Sequence, residues 1–117
     1  MRFEVKLRNE IIGFTELEAG DAPMGIAGGR FVPTPAYAQI QADCIKHRDS
    51  WITIPELTIG LVGYTLPIEC SGPITIIDYS SELGEIEISI HGIPYPLYAE
   101  LFPQHVESYK RAFDPKP

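Results

Sequence analysis

A chain of 117 residues, 44% apolar and 21% charged, has the composition of a folded globular domain rather than a disordered segment. No apolar run approaches the ~20 residues of a membrane-spanning helix, which argues against a membrane role. The formal charge of −7 is unevenly spread: residues 49–109 hold nine carboxylates and no lysine or arginine, between a balanced first 48 residues and a weakly basic last eight. A field of that sign opposes a phosphate backbone, so no nucleic acid is expected, and it favours a basic partner.

Phe3, Val5 and Leu7 alternate with Arg2, Glu4, Lys6 and Arg8, the period-2 pattern of a half-buried strand and not the apolar core of a signal peptide. The chain is therefore expected to begin at Met1 and stay in the cytoplasm, with Cys44 and Cys70 as reduced thiols. Asn9 offers a turn into a second strand over 10–18, less regular because Ile11 and Ile12 adjoin, and the pair reads as a hairpin. Residues 19–35 then gather Gly20, Gly25, Gly28 and Gly29 among Pro23, Pro33 and Pro35. Glycine weakens a ladder and proline removes a donor, so this stretch is expected to be a loop and not a central strand.

Thr34-Pro35 reads as a helix start, a hydroxyl at the cap and proline at the first helical position. Tyr37, Ile40, Cys44 and Ile45 then share a helical face as far as His47. The same residues also alternate, but three alanines and two glutamines favour a helix over a strand, and a helix is predicted over 35–47. From Trp51 to His91 the composition turns to isoleucine, threonine, valine and tyrosine, with strands expected near 51–54, 57–66, 73–80 and 85–91. The last two form a hairpin through residues 80–84. Ile86, Ile88 and Ile90 point to one face, where burial contributes about 2 kcal/mol each, and Glu85, Glu87, Ser89 and His91 to the other. Pro94 and Pro96 end the sheet, residues 97–102 suit a short helical turn, and Pro103 opens a last helix. That helix carries Val106, Tyr109 and Phe113 on one side and ends on Lys110 and Arg111, where cations suit its dipole. The fold class is a single β-dominated α+β domain over 1–117. It is an antiparallel sheet, strongly curved or barrel-like, with one helix near 35–47 and short C-terminal helices.

Several residue groups invite chemistry, and each has a plainer reading beside it. Gly25, Gly28, Gly29 and Arg30 resemble a phosphate cradle, but the lysine and the helix opening directly from the glycines are missing. As a long loop, the segment is instead a candidate binding surface with Met24 and Phe31 as apolar contacts. Cys44 and His47 have a C-x-x-H spacing that Cys70 and His91 would complete as a four-ligand zinc site. No paired knuckle supports this, and neither metal nor cofactor is expected. A Cys–His nucleophile pair is equally unspecified by spacing. His91, beside Glu85 and Glu87, suits an acid–base group or a pH-sensitive rim, against the plainer reading of a solvated sheet face. No Ser/His/Asp signature or paired-carboxylate spacing is present.

The sequence thus points to a small acidic protein-binding domain, its sharpest form an immunity protein that neutralises a basic toxin such as a nuclease. Glu82, Glu85, Glu87 and His91 are the expected contacts, with Met24 and Phe31 on the glycine-rich segment. The alternatives are a structural or assembly subunit, such as a homodimer joined through sheet edges, and a small enzyme whose site is assembled from distant residues.

Overall fold

A computed structural model describes residues 1–47 and 54–113, and its sheet begins where the period-2 pattern begins. Strand β1 (Phe3–Leu7) buries Phe3, Val5 and Leu7. A two-residue turn, with Arg8 at a φ of 55°, leads into β2 (Glu10–Thr15), which pairs with it antiparallel. The register shifts between Val5, opposite Gly13, and Lys6, opposite Ile11, so Ile12 is the extra residue of a bulge. The bulge turns Ile12 into the core and accounts for the irregular alternation at Ile11-Ile12.

The glycine-rich segment is where the structure corrects the sequence reading. After β3 (Ala19–Asp21) and a 3₁₀ turn at Ala22–Met24, residues Ile26–Pro33 form β4. With β5 (Leu57–Leu61), β6 (Ile74–Tyr79) and β7 (Glu85–Ile90), the order is β5-β1-β2-β4-β7-β6, and β3 also pairs with β4. The expected loop is thus the strand that joins the two halves of a seven-stranded antiparallel sheet curled into a half-barrel. Its glycines mark close approaches inside a ladder. A Cβ at Gly29 would overlap the Glu18 carboxylate and come within 3.0 Å of the Glu18 nitrogen, and one at Gly28 would lie 3.1 Å from the Ile88 carbonyl oxygen. Here β4 changes partner: residues 26–28 pair with β3, and 31–33 pair with β2. Pro33 is its last residue, where a missing donor is tolerated.

The expected helix near 35–47 is present as a 3₁₀ turn at Pro35–Tyr37 running into α1 (Ala38–Lys46). Thr34 occupies the cap position, but its hydroxyl donates to the Ile11 carbonyl (2.8 Å), so it ties the helix start to β2. Strand β5 is shorter than the expected 57–66. The chain folds back after it, and the Ile68 N–H donates to the Ile59 carbonyl at 2.7 Å. Of the expected strand at 51–54, residues 51–53 lie outside the described residues, and Ile54 is in no strand.

Ile86, Ile88 and Ile90 are buried as the pattern requires, and Glu87 is exposed with Glu85 half-exposed. Opposite Ile90, Ile88 and Ile86 stand Ile74, Ile76 and Asp78 of β6. The inner face of the half-barrel is filled by aromatic side chains from the helices. Phe102, between α2 (Leu97–Leu101) and α3 (Pro103–Phe113), lies 5.6 Å from Phe3 and 5.3 Å from Tyr98 between ring centroids. The Tyr98 hydroxyl donates to the Ile26 carbonyl (2.8 Å). In α3 the buried residue is His105, whose ring stacks on Phe102 and whose Nε2 lies 2.8 Å from the Leu17 carbonyl oxygen. A carbonyl only accepts, so that nitrogen carries the proton. The stripe Val106, Tyr109, Phe113 runs off the core instead of along it, with Tyr109 41% and Phe113 71% exposed.

Candidate functional site

Strand alternation sends one set of side chains away from the packed face. From β4 these are Gly28, Arg30 and Val32, and from β2 the outward residue opposite Val32 is Phe14. From β7 they are Glu85, Glu87 and Ser89, opposite Tyr79, Ile77 and Thr75 of β6. The twist of the sheet turns this outer face into an open trough of about 870 Å³. Phe14, Val32 and Ile77 line its apolar part, and Glu16, Glu18, Glu85 and Glu87 bring four carboxylates to it.

Two guanidinium groups already lie in the trough. Arg2 sits 4.3 Å above the Phe14 ring, an attraction between a cation and the negative face of the ring. Arg30, directly across from Glu87 in register, reaches diagonally and donates from Nη2 to Glu85 Oε1 at 2.6 Å. The Arg30 backbone N–H is satisfied by Glu18 Oε2 (2.9 Å), a carboxylate standing where β2 has ended and β3 has not yet begun. The trough is thus built from β2, β4, β6 and β7 together, with Glu18 in the break.

Of the contacts expected from sequence, the structure brings Glu85 and Glu87 into this trough. Glu82 is exposed on the β6–β7 turn and accepts a hydrogen bond from the Ser81 hydroxyl (3.2 Å). His91 lies further along the same face, with Nε2 3.0 Å from Ser89 Oγ, itself 2.7 Å from Thr75 Oγ1. Met24 is 65% exposed on the 22–24 turn but does not line the trough. Phe31 is the correction: it is 2% exposed and packs edge-on against Tyr37 at 5.1 Å. Once the segment is a strand, Phe31 points inward and its neighbour Val32, 52% exposed, points into the trough. The same change removes the phosphate cradle, because Gly28 and Gly29 belong to the β4–β7 ladder and Arg30 is engaged by Glu85.

Clustering along the chain does not become clustering in space. Of the nine carboxylates between 49 and 109, Glu56 faces Arg8 (3.9 Å), Glu107 faces Arg111 (3.7 Å) and Asp78 is wholly buried. Two of the trough carboxylates, Glu16 and Glu18, come from the charge-balanced first part of the chain.

Asp78 is a further residue that sequence reasoning missed. It sits on the inner face of β6 and is 0% exposed. Its Oδ2 accepts from the Tyr37 hydroxyl at 2.7 Å and from Gln41 Nε2 at 3.4 Å, and its Oδ1 from the Ser80 N–H at 2.8 Å. Burial works to raise this carboxyl, but the donors from Ser80, Tyr37 and Gln41 outweigh it and hold the group below the usual carboxylate range. Tyr37 moves the other way. Burial first, and then its bond to Asp78, push the phenol far above its ordinary value, so it stays protonated and donates to Asp78. The signal for Asp78 was its register, two residues after Ile76 on a face otherwise made of isoleucine.

Neither cysteine is set up as a nucleophile. Cys44 and Cys70 are free thiols, and burial raises both, whereas a reactive thiol needs the thiolate stabilised. Among the described residues no group of three His, Cys, Asp or Glu side chains is placed to hold a metal ion, and no helix is long and apolar enough to cross a membrane. No family model, curated protein or solved structure matches the chain, so function is read from this geometry.

Proposed function

We propose that the protein is a binding domain that docks a basic protein partner on the outer face of its sheet, as an immunity protein that neutralises a toxin such as a nuclease would. The observation that carries this is the trough itself, where Phe14 and Val32 on β2 and β4 and Ile77 on β6 flank Glu85 and Glu87 on the intervening β7, with Glu16 and Glu18 also lining it. A specific interface combines apolar contacts that exclude water with polar groups that set partner and register, and the trough supplies both. A nuclease presents positive charge where it binds phosphates, so carboxylates on this face raise the rate of encounter and reject partners of the wrong sign. Arg2 over Phe14 and Arg30 on Glu85 illustrate how a partner's cations would be received, by ring face and by carboxylate. Two free thiols fit a cytoplasmic setting for such a domain.

Val32 is the point at which to test it. Val32→Arg places a cation on the apolar wall of the trough and should weaken binding to the product of the neighbouring reading frame at least tenfold, about 1.4 kcal/mol. Because Val32 is 52% exposed, the unfolding free energy should stay within about 0.5 kcal/mol of the original. Calorimetric titration beside a denaturation curve separates the two effects. Unchanged affinity would remove the outer face from the interface.

A further inference from the structure

The outer trough is occupied in part by the chain itself. Arg2 lies 4.3 Å above the Phe14 ring and Arg30 donates to Glu85 at 2.6 Å. Both arginines line the trough together with Glu16, Glu18, Glu85 and Glu87. Two guanidinium groups against four carboxylates leave it net negative, and among the described residues Glu16 and Glu87 have no ion-pair partner. Neither arginine is locked in place. The Arg30 and Glu85 side chains are 63% and 45% exposed and Arg2 is exposed, so each contact competes with water and is weak. The two places lie on β2 and β7 with only β4 between them, about 10 Å apart at ordinary strand spacing.

Both places have the chemistry that separates a guanidinium from an ammonium. A planar, weakly hydrated guanidinium stacks on a ring face and donates through a fork to a carboxylate, whereas an ammonium is a compact, strongly hydrated point charge. We infer that the trough recognises its basic partner by two arginine side chains, one over Phe14 and one on Glu85, and that Arg2 and Arg30 hold these places until the partner's arginines displace them. This rests on the reading of the outer face as the docking site and adds the chemistry of its occupant. Glu16 and Glu87, which the chain's own arginines leave unpaired, supply the net attraction that draws the partner in. The internal arginines in turn set a threshold. A place held about two-thirds of the time lowers the apparent affinity about threefold, and two such places lower it about tenfold. A partner offering one cation relieves only part of that, whereas one offering two arginines at the right spacing displaces both.

Titration calorimetry on the full chain with hexa-arginine and hexa-lysine peptides tests this. The wild type should bind hexa-arginine more tightly than hexa-lysine, and Phe14→Leu should erase most of that preference. Arg2→Gln with Arg30→Gln should tighten hexa-arginine about tenfold, with unchanged circular dichroism because both side chains are exposed. Lys110→Gln with Arg111→Gln removes the same charge away from the trough and should move the affinity by less than about twofold. An equal gain in that variant would overturn the inference, because net charge alone would then explain it, and so would equal affinity of the wild type for the two peptides. Equal hexa-arginine affinity of the wild type and the Arg2/Arg30 variant, lost in both on Val32→Arg, would overturn self-occupancy while leaving the outer face as the docking site. Binding that Val32→Arg leaves untouched would overturn that reading as well.

Discussion

Asp78→Ala should destabilise the protein by about 3–5 kcal/mol, measured as a shift of the urea midpoint at constant slope. The substitution leaves the Tyr37 hydroxyl and the Ser80 N–H without the acceptor they now share at 2.7 and 2.8 Å. Hydrogen bonds to a charged acceptor contribute about 1.5–3 kcal/mol each. The loss is structural as well as local, because Asp78 is where α1 is fastened to β6. The pH dependence has a definite sign. A carboxyl held below its unfolded value contributes stability that is present above the unfolded pKa, about 3.9, and is lost as pH falls through the folded value. The gap in stability between wild type and Asp78→Asn should therefore be full at neutral pH and close in acid below about pH 4. A cost under about 1 kcal/mol for the alanine variant would show that the cluster is incidental to the fold.

Phe102→Ala should have an effect of similar size, about 3–5 kcal/mol. Phe102 is 1% exposed and touches Phe3 of β1, Tyr98 of α2 and His105 of α3. Through it the C-terminal helices grip the first strand of the half-barrel. Its carbonyl also accepts the His105 N–H (3.0 Å) at the corner between α2 and α3. Collapse around the cavity is limited because the Tyr98 and His105 rings that line it already pack against each other, with centroids 6.3 Å apart. Phe113→Ala in dilute solution provides the contrast. At 71% exposure it should change stability by no more than about 0.5 kcal/mol.

How much of this was legible in the sequence depends on which signal dominated locally. Period-2 alternation placed β1 and oriented Ile86, Ile88 and Ile90 of β7 correctly, because burying one face of a strand requires that pattern, whereas β6 was legible from its isoleucine-rich composition. The helix over 35–47 was resolved from alternation by its alanines and glutamines. The glycine-rich strand was not, because composition there reports backbone room and not pairing. Gly29 leaves space for Glu18, and Gly28 for β7, and neither need is visible until the partners are known. That single misreading assigned Phe31 to the surface and hid Val32. The stripe on α3 was legible as apolar but not as uncovered, since the anchoring of the helix through His105 depends on Leu17, 88 residues away. Glu16 and Glu18 were overlooked because charge was counted along the chain, whereas the trough collects it across strands.

The central claim, that carboxylates and apolar side chains of the outer face together receive a basic partner, is tested most directly by the association rate. Stopped-flow binding to the neighbouring reading frame's product would be followed from 0.01 to 0.15 M salt, over which the Debye length falls from ~30 Å to ~8 Å. Wild type would be compared with Glu16→Gln/Glu87→Gln and with the turn variant Glu82→Gln. Steering by the trough predicts an on-rate that falls steeply with salt in the wild type and is lower and flatter in the double variant, with Glu82→Gln between them. An on-rate that is independent of salt and unmoved by the double substitution would contradict it.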